Sequence, residues 1–179
     1  MKNKFKIKDK VTEICVQSPK YGHFTVLIDA EDLNLVSRYN WCVAKVYNNI
    51  FYCVSSDGKH VKLHRLIMSF PKDKIIDHKN HNCLDNRKEN LRVCTKQQNT
   101  HNQKINKNNT SGFKSVYLDI NKSGNKHWRS YITYNNKRIN LGRFPYTEEG
   151  KRQAALRYDQ EAKKLFKEYA LLNFPEEIK

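Results

Sequence analysis

Asp77 and His78 stand side by side in the chain, and Asn99 follows a short way on. A carboxylate and a side-chain amide oxygen are hard donors, of the kind Mg²⁺, Mn²⁺ or Ca²⁺ takes with waters completing the shell. An imidazole beside them can accept a proton near neutral pH. The three together suit hydrolysis of a phosphodiester. A metal would stabilise charge on the leaving oxygen while His78 activates the attacking water. Adjacent strand residues point to opposite faces, so both can serve one site only where the strand runs out into a loop. A structural or solvated Asp-His pair fits the same spacing, and the residues by themselves leave both readings open.

The flanking sequence supplies such an exit. Ile75-Ile76 reads as a short apolar strand running into Asp77-His78. Lys79–Asn90 is polar and without periodicity, which means loop, and Leu91–Cys94 is a second short strand. Thr95 then caps a helix to about Lys104, with Gln98 as its capping-box partner. Upstream, Tyr21 to Phe70 reads as short strands: Phe24–Ile28, Trp41–Val46, Phe51–Ser55 and Val61–Leu66. Asn48-Asn49 and Asp57-Gly58 mark hairpin turns, and Asp29–Asp32 opens a short helix through Leu35 and Val36. Residues 1–60 thus form a small β-rich platform in which no constellation of reactive groups stands out.

Charge narrows the partner. The 179 residues carry 34 basic and 18 acidic side chains, net +16, with nets of +3, +7 and +6 over residues 1–60, 61–107 and 108–179. An excess of this size, weighted to the last two thirds, favours a polyanion over an acidic membrane surface. Hydrophobic residues at 38% make one large core less suited than two or three small ones. No apolar run is long enough for a membrane span, and no apolar signal region follows the basic start, so a cytoplasmic protein is expected. The five cysteines lack any C-x-x-C pair. They read as reduced hydrophobes on strands, with a structural zinc on some of Cys53, Cys83 and Cys94 as the alternative.

After an Asn-rich linker, three more strands are expected at Phe113–Asp119, Trp128–Tyr134 and Arg138–Phe144. Thr147 caps a final helix whose stripe is Ala155, Tyr158, Ala162, Leu165, Phe166 and Tyr169. Lys114, Tyr117, Trp128, Arg129, Tyr131, Lys137, Arg138 and Arg143 could lay a basic, aromatic sheet face into a DNA groove. A solvated face of cross-strand aromatic pairs is the plainer reading of the same residues.

Asp77-His78, Leu84-Asp85-Asn86-Arg87, Glu89-Asn90-Leu91-Arg92 and Asn99, with His64-Arg65-Leu66 upstream, resemble the HNH endonucleases with a ββα-metal site, closest to the homing branch. The resemblance implies Asp77 and Asn99 as metal ligands and His78 as general base. It implies that Asn90 ties the loop, so that a loop carbonyl orients the His78 ring. The cofactor implied is one Mg²⁺ or Mn²⁺. His64, Arg65, His81 and His101 are candidate phosphate or leaving-group contacts, though a structural role suits each of them as well. The products implied carry a 5′-phosphate and a 3′-hydroxyl.

Ser111–Val116, Lys126-His127-Trp128, Leu141–Phe144, Ala154-Ala155, Tyr158-Asp159 and Leu172–Pro175 are similar to the plant ethylene-response-factor DNA-binding domain. That likeness implies DNA contacts from Lys114, Tyr117, Trp128, Arg129, Tyr131 and Arg143, with Trp128 open between contact and packing.

The expectation is an α+β protein. A β-rich unit (1–60) precedes an HNH unit (61–104), a linker (105–110) and a three-stranded antiparallel sheet packed on one helix (111–179). The expected function is sequence-directed cleavage of double-stranded DNA by a homing-type endonuclease of a phage or mobile element, in a bacterial or phage-infected cell. Double-strand cutting would call for a homodimer or a second binding event. An inactive DNA-binding regulator and a restriction-type nuclease are the rivals.

Overall fold

The computed structural model describes residues 1–47 and 49–178. They divide into two compact units, Met1–Lys96 and Gln97–Lys179. Both mix helix with small antiparallel sheets.

In the first unit, β1 (Phe5–Lys8), β2 (Val11–Ser18) and β3 (Gly22–Asp29) form a sheet in that order. β2 follows the two-residue period of a half-buried strand: Thr12, Ile14 and Val16 are buried, with their neighbours turned outward. A 3₁₀ turn at Ala30–Asp32 passes into α1 (Leu33–Val36). β4 (Trp41–Tyr47) and β5 (Ile50–Ser55) make a hairpin. Of its expected Asn48-Asn49 turn, Asn48 lies outside the described residues, and Asn49 has φ of 64°.

The expected strand Val61–Leu66 is a correction. Lys62 bridges to Val54, and from Leu63 the chain is helix α2 (Leu63–Ile67). Leu63, Leu66 and Ile67 are all buried, and their three- and four-residue spacing puts them on one helical face toward the core. β6 (Ile75–His78) pairs antiparallel with β7 (Leu91–Cys94), so that Asp77 lies opposite Arg92 and His78 opposite Leu91.

One hydrophobic core joins Ile14, Val26, Val36 and Trp41 to Leu63, Leu66, Ile76 and Leu91. The platform and the β6–β7 hairpin therefore fold as one body. The loop between β6 and β7 is also stitched to the edge of β3: Leu27 N–H donates to the Leu84 carbonyl (2.9 Å), and Asn86 N–H donates to the Leu27 carbonyl (2.8 Å).

β7 leads into α3 (Lys96–His101), which ends short of the expected Lys104. In the second unit β8 (Val116–Ile120), β9 (Lys126–Tyr134) and β10 (Lys137–Pro145) form an antiparallel sheet with β9 central. Asn135 and Asn136, both at positive φ, make the tight turn that matches right-handed strand twist. Val116, Trp128, Ser130 and Ile132 face inward, and α4 (Glu148–Phe166) packs Ala154, Ala155, Tyr158, Ala162 and Phe166 against them. Leu165 joins this packing, whereas Tyr169 lies beyond α4 in a 3₁₀ turn.

Thr147 caps α4 through its hydroxyl, which accepts from Gly150 N–H at 3.0 Å. Buried Asp159 on α4 accepts from the backbone of Asn173 (2.8 Å) and Phe174 (2.7 Å). That fastens the C-terminal segment across the helix. No helix among the described residues is long and apolar enough to cross a membrane.

Candidate active site and nucleic-acid face

β6 delivers Asp77 and His78 to the rim of the first unit's core, where both are buried. The Asp77 carboxylate is met by Arg92 from the facing strand, whose Nε (2.9 Å) and Nη2 (2.7 Å) both donate to Oδ2. His78 Nε2 lies 3.4 Å from Asn86 Oδ1. Burial drives the His78 pKa down, and the Asn86 contact and the charges of Asp77 and Asp85 oppose it. His78 is thus biased toward the neutral imidazole.

The loop that carries Asn86 is held by a dense set of bonds. Asn90 Nδ2 donates to the Asp85 carbonyl (2.7 Å), and Asn90 Oδ1 accepts from Asn80 N–H (3.0 Å). Asp85 receives both Nε and Nη2 of Arg87 at 2.8 Å and the Asn80 amide at 2.9 Å. Burial would raise the Asp85 carboxyl, but these donors hold it below the usual range. Lys88 reaches back to the first sheet's end, its backbone N–H donating to Asp29 (2.7 Å) and its ammonium pairing with Glu31 and Asp32.

The platform supplies a wall to the site. Tyr52 on β5 sits with its ring 6.1 Å from that of His78 and 5.3 Å from that of His64, and the two imidazoles are 5.1 Å apart, edge to face. His64 is pushed down to about 3, by burial first and then by nearby His78, Lys62 and Arg65. The Tyr52 phenol is pushed above its usual range by burial and by its hydrogen bond with Cys83. Local spacing does not mark Tyr52 as a neighbour of His78, because contact across strands leaves no trace in it.

Of the candidate phosphate contacts, His64 is buried in this wall. Arg65 donates instead to the carbonyls of Lys74 (3.3 Å) and Pro71 (3.0 Å). Asn99 is half-buried on α3. His101, at the end of α3, stacks flat on Phe166, with centroids 3.6 Å apart. The five cysteines are free thiols, Cys53 and Cys94 buried. Among the described residues no three His, Cys, Asp or Glu are grouped to hold a metal.

The outer face of the second unit's sheet presents Tyr117, Arg129, Tyr131 and Arg143 together with Arg138, as the pairing register dictates. Two expected contacts lie elsewhere. Trp128 is on the inner face at 7% exposure, packed with Val116, Ala154 and Ala155, so of its two readings the structure gives packing. Lys114 turns its ammonium to the carbonyls of His101 (2.7 Å) and Gln103 (2.6 Å), and burial lowers it to about 8.

Residues 61–101 match the family model described as HNH endonuclease. A protein of Acanthamoeba polyphaga mimivirus, named an uncharacterized HNH endonuclease, is 31% identical over 175 residues, covering 94% of this chain and 84% of that one. No solved structure matches the chain. These two matches make it a nuclease. The chain belongs to the HNH endonuclease family.

Proposed function

We propose that the chain is a sequence-directed DNA endonuclease of the homing type. Asp77 and His78 on β6, with Asn99 on α3, would do the chemistry, and the second unit's sheet would find the site. One observation carries the reading: a buried, neutral-biased His78 stands next to buried Asp77 at the strand end that enters a densely bonded loop. A neutral imidazole shielded from bulk water can take a proton from an attacking water.

His78 would act as general base. With Nε2–H directed to the Asn86 oxygen, the lone pair lies on Nδ1. Water would attack phosphorus, its proton passing to His78, and the bond to the 3′ oxygen would break to leave a 5′-phosphate and a 3′-hydroxyl. Asn90 would serve through the loop, since its two bonds hold the segment that sets Asn86 against His78.

Asp77 and Asn99 would hold one Mg²⁺ or Mn²⁺ in a ββα-metal site. The donor chemistry fits, because both offer hard oxygens and Asp77 already faces a cation in the Arg92 guanidinium. A bound divalent ion stabilises negative charge on the leaving oxygen. On the second unit, Tyr117, Arg129, Tyr131, Arg138 and Arg143 would meet duplex DNA, in the manner of the ethylene-response-factor domain it is similar to. The viral relative is in keeping with a phage or mobile-element setting, and a dimer on DNA would extend nicking to a double-strand cut.

The test is cleavage of a random-sequence plasmid library with Mg²⁺ or Mn²⁺, comparing the wild type with His78→Ala. Metal-dependent cuts that vanish in the variant are expected, and sequencing the ends would show the target. Cleavage that survives His78→Ala would remove the assigned base. Duplex binding with no cleavage by the wild type would favour a regulator.

A further inference from the structure

The outer sheet face holds an acidic residue where a DNA-meeting surface should carry none. Asp119 on β8 places Oδ2 3.0 Å from Arg143 Nη2 and 3.3 Å from Arg129 Nη2. Arg143 is on β10, so this contact spans the central strand. Arg129 Nη1 also donates to the Tyr131 hydroxyl at 2.6 Å. Arg138 lies over the Tyr131 ring at 3.8 Å and the Tyr117 ring at 5.6 Å. The three guanidinium groups of this face are thus each held, two of them by one carboxylate oxygen.

Stability does not account for Asp119. The side chains are 27%, 28% and 44% exposed for Asp119, Arg129 and Arg143, and pairs so open to water contribute little. Attraction to a polyanion does not account for it either, since a carboxylate there opposes binding. What it does supply is direction. A free arginine gives up its rotamer freedom when its planar fork meets a base edge; one already oriented gives up less, and only in the right geometry.

We infer that Asp119 is a positioning residue for sequence reading: it aims Arg129 and Arg143, raising discrimination between DNA sequences while lowering affinity for DNA in general. This inference rests on the reading that the sheet face meets duplex DNA.

The experiment uses the full chain with EDTA present, so that no strand is cut. One probe is a duplex recovered by the wild type from a random pool; the other is a scrambled duplex of the same composition. Fluorescence anisotropy gives both dissociation constants for wild type, Asp119→Asn and Asp119→Glu. The expected result is that Asp119→Asn binds the scrambled duplex at least as tightly as the wild type. Its preference for the recovered duplex should fall about tenfold, within the range of one base-reading arginine contact. Asp119→Glu should restore part of that preference.

An unchanged preference in Asp119→Asn, with both affinities raised alike, would overturn the inference and leave Asp119 a mere screening charge. Equal loss of both affinities would also overturn it, marking a structural role. If the wild type itself shows no preference between the duplexes, the DNA-reading assignment of the sheet fails, and the inference falls with it.

Discussion

Arg92 directs both Nε and Nη2 to a single oxygen, Oδ2, of Asp77, at 2.9 and 2.7 Å, from the position opposite it in the β6–β7 hairpin. Both side chains are about nine-tenths buried. Removing one partner from such a pair leaves a charge stranded in a poor solvent for it. Arg92→Met is therefore expected to destabilise the first unit by about 3 kcal/mol. In urea unfolding, the double variant Asp77→Asn/Arg92→Met should lose less than the two single changes summed. Additive losses would show that the pair is not coupled.

Acidification should weaken the same unit through His64. Its folded pKa is about 3 against an ordinary value of 6.5, so the folded state binds this proton less readily than the unfolded chain. The associated stability is fully present above about pH 6.5 and is lost as pH falls from there toward 3, at about 1.4 kcal/mol per pH unit for one site. His78, shifted the same way by burial, adds to the slope. Urea midpoints from pH 7 to pH 4 measure it. The decline should be shallower in His64→Phe, and an identical decline would remove His64 as its source.

Lys114 gives the same sign at higher pH in the second unit. Burial holds it at about 8, below the 10.5 of a free lysine, so the folded state carries less of this proton. Stability from this group should rise as pH goes from about 8 to 10.5. Differential scanning calorimetry over that interval, with Lys114→Gln as control, should show the rise only in the wild type.

Gly150 sets two rules of helix design against each other. Alanine inside a helix is better than glycine by about 1 kcal/mol. Here, however, an added Cβ would fall 2.2 Å from the Pro145 carbonyl oxygen, a backbone atom that cannot swing away. Gly150→Ala should lower the melting temperature sharply, whereas Thr147→Ala, which removes only the cap bond, should cost about 1 kcal/mol. A stabilised Gly150→Ala protein would mean that β10 and α4 meet less closely than described.

Much of this was legible in the chain, and the exceptions share a cause. Strands such as Ile75–His78 and Leu91–Cys94 are marked by short apolar runs between polar ones, and Thr147 by its place before two glutamates. Leu63–Ile67 misled because Val61 and Leu63 alternate as in a strand while Leu63, Leu66 and Ile67 recur as in a helix, and the core they pack against decides between the two. β1 and β2 lie ahead of the span read as strands; lysines alternating through Phe5–Lys8 leave that strand with no buried face to announce it. In the site, Asp77, His78 and Asn90 stand out by type and order. Arg92 on Asp77, Tyr52 beside His78 and Asp119 between two arginines depend on register and on strand-to-strand packing, which no local pattern encodes.

The stitching of the β6–β7 loop to β3 bears on what can be moved from this protein to another. The family model recognises 61–101, yet within that stretch the loop borrows an edge from Leu27, a carboxylate from Asp29 and a core from Ile14 and Val26. Transplanted by itself, the segment would carry the right side chains and lose the scaffold that aims them. The portable cassette runs from the first sheet through α3, and inheritance of the motif requires inheritance of the sheet in front of it.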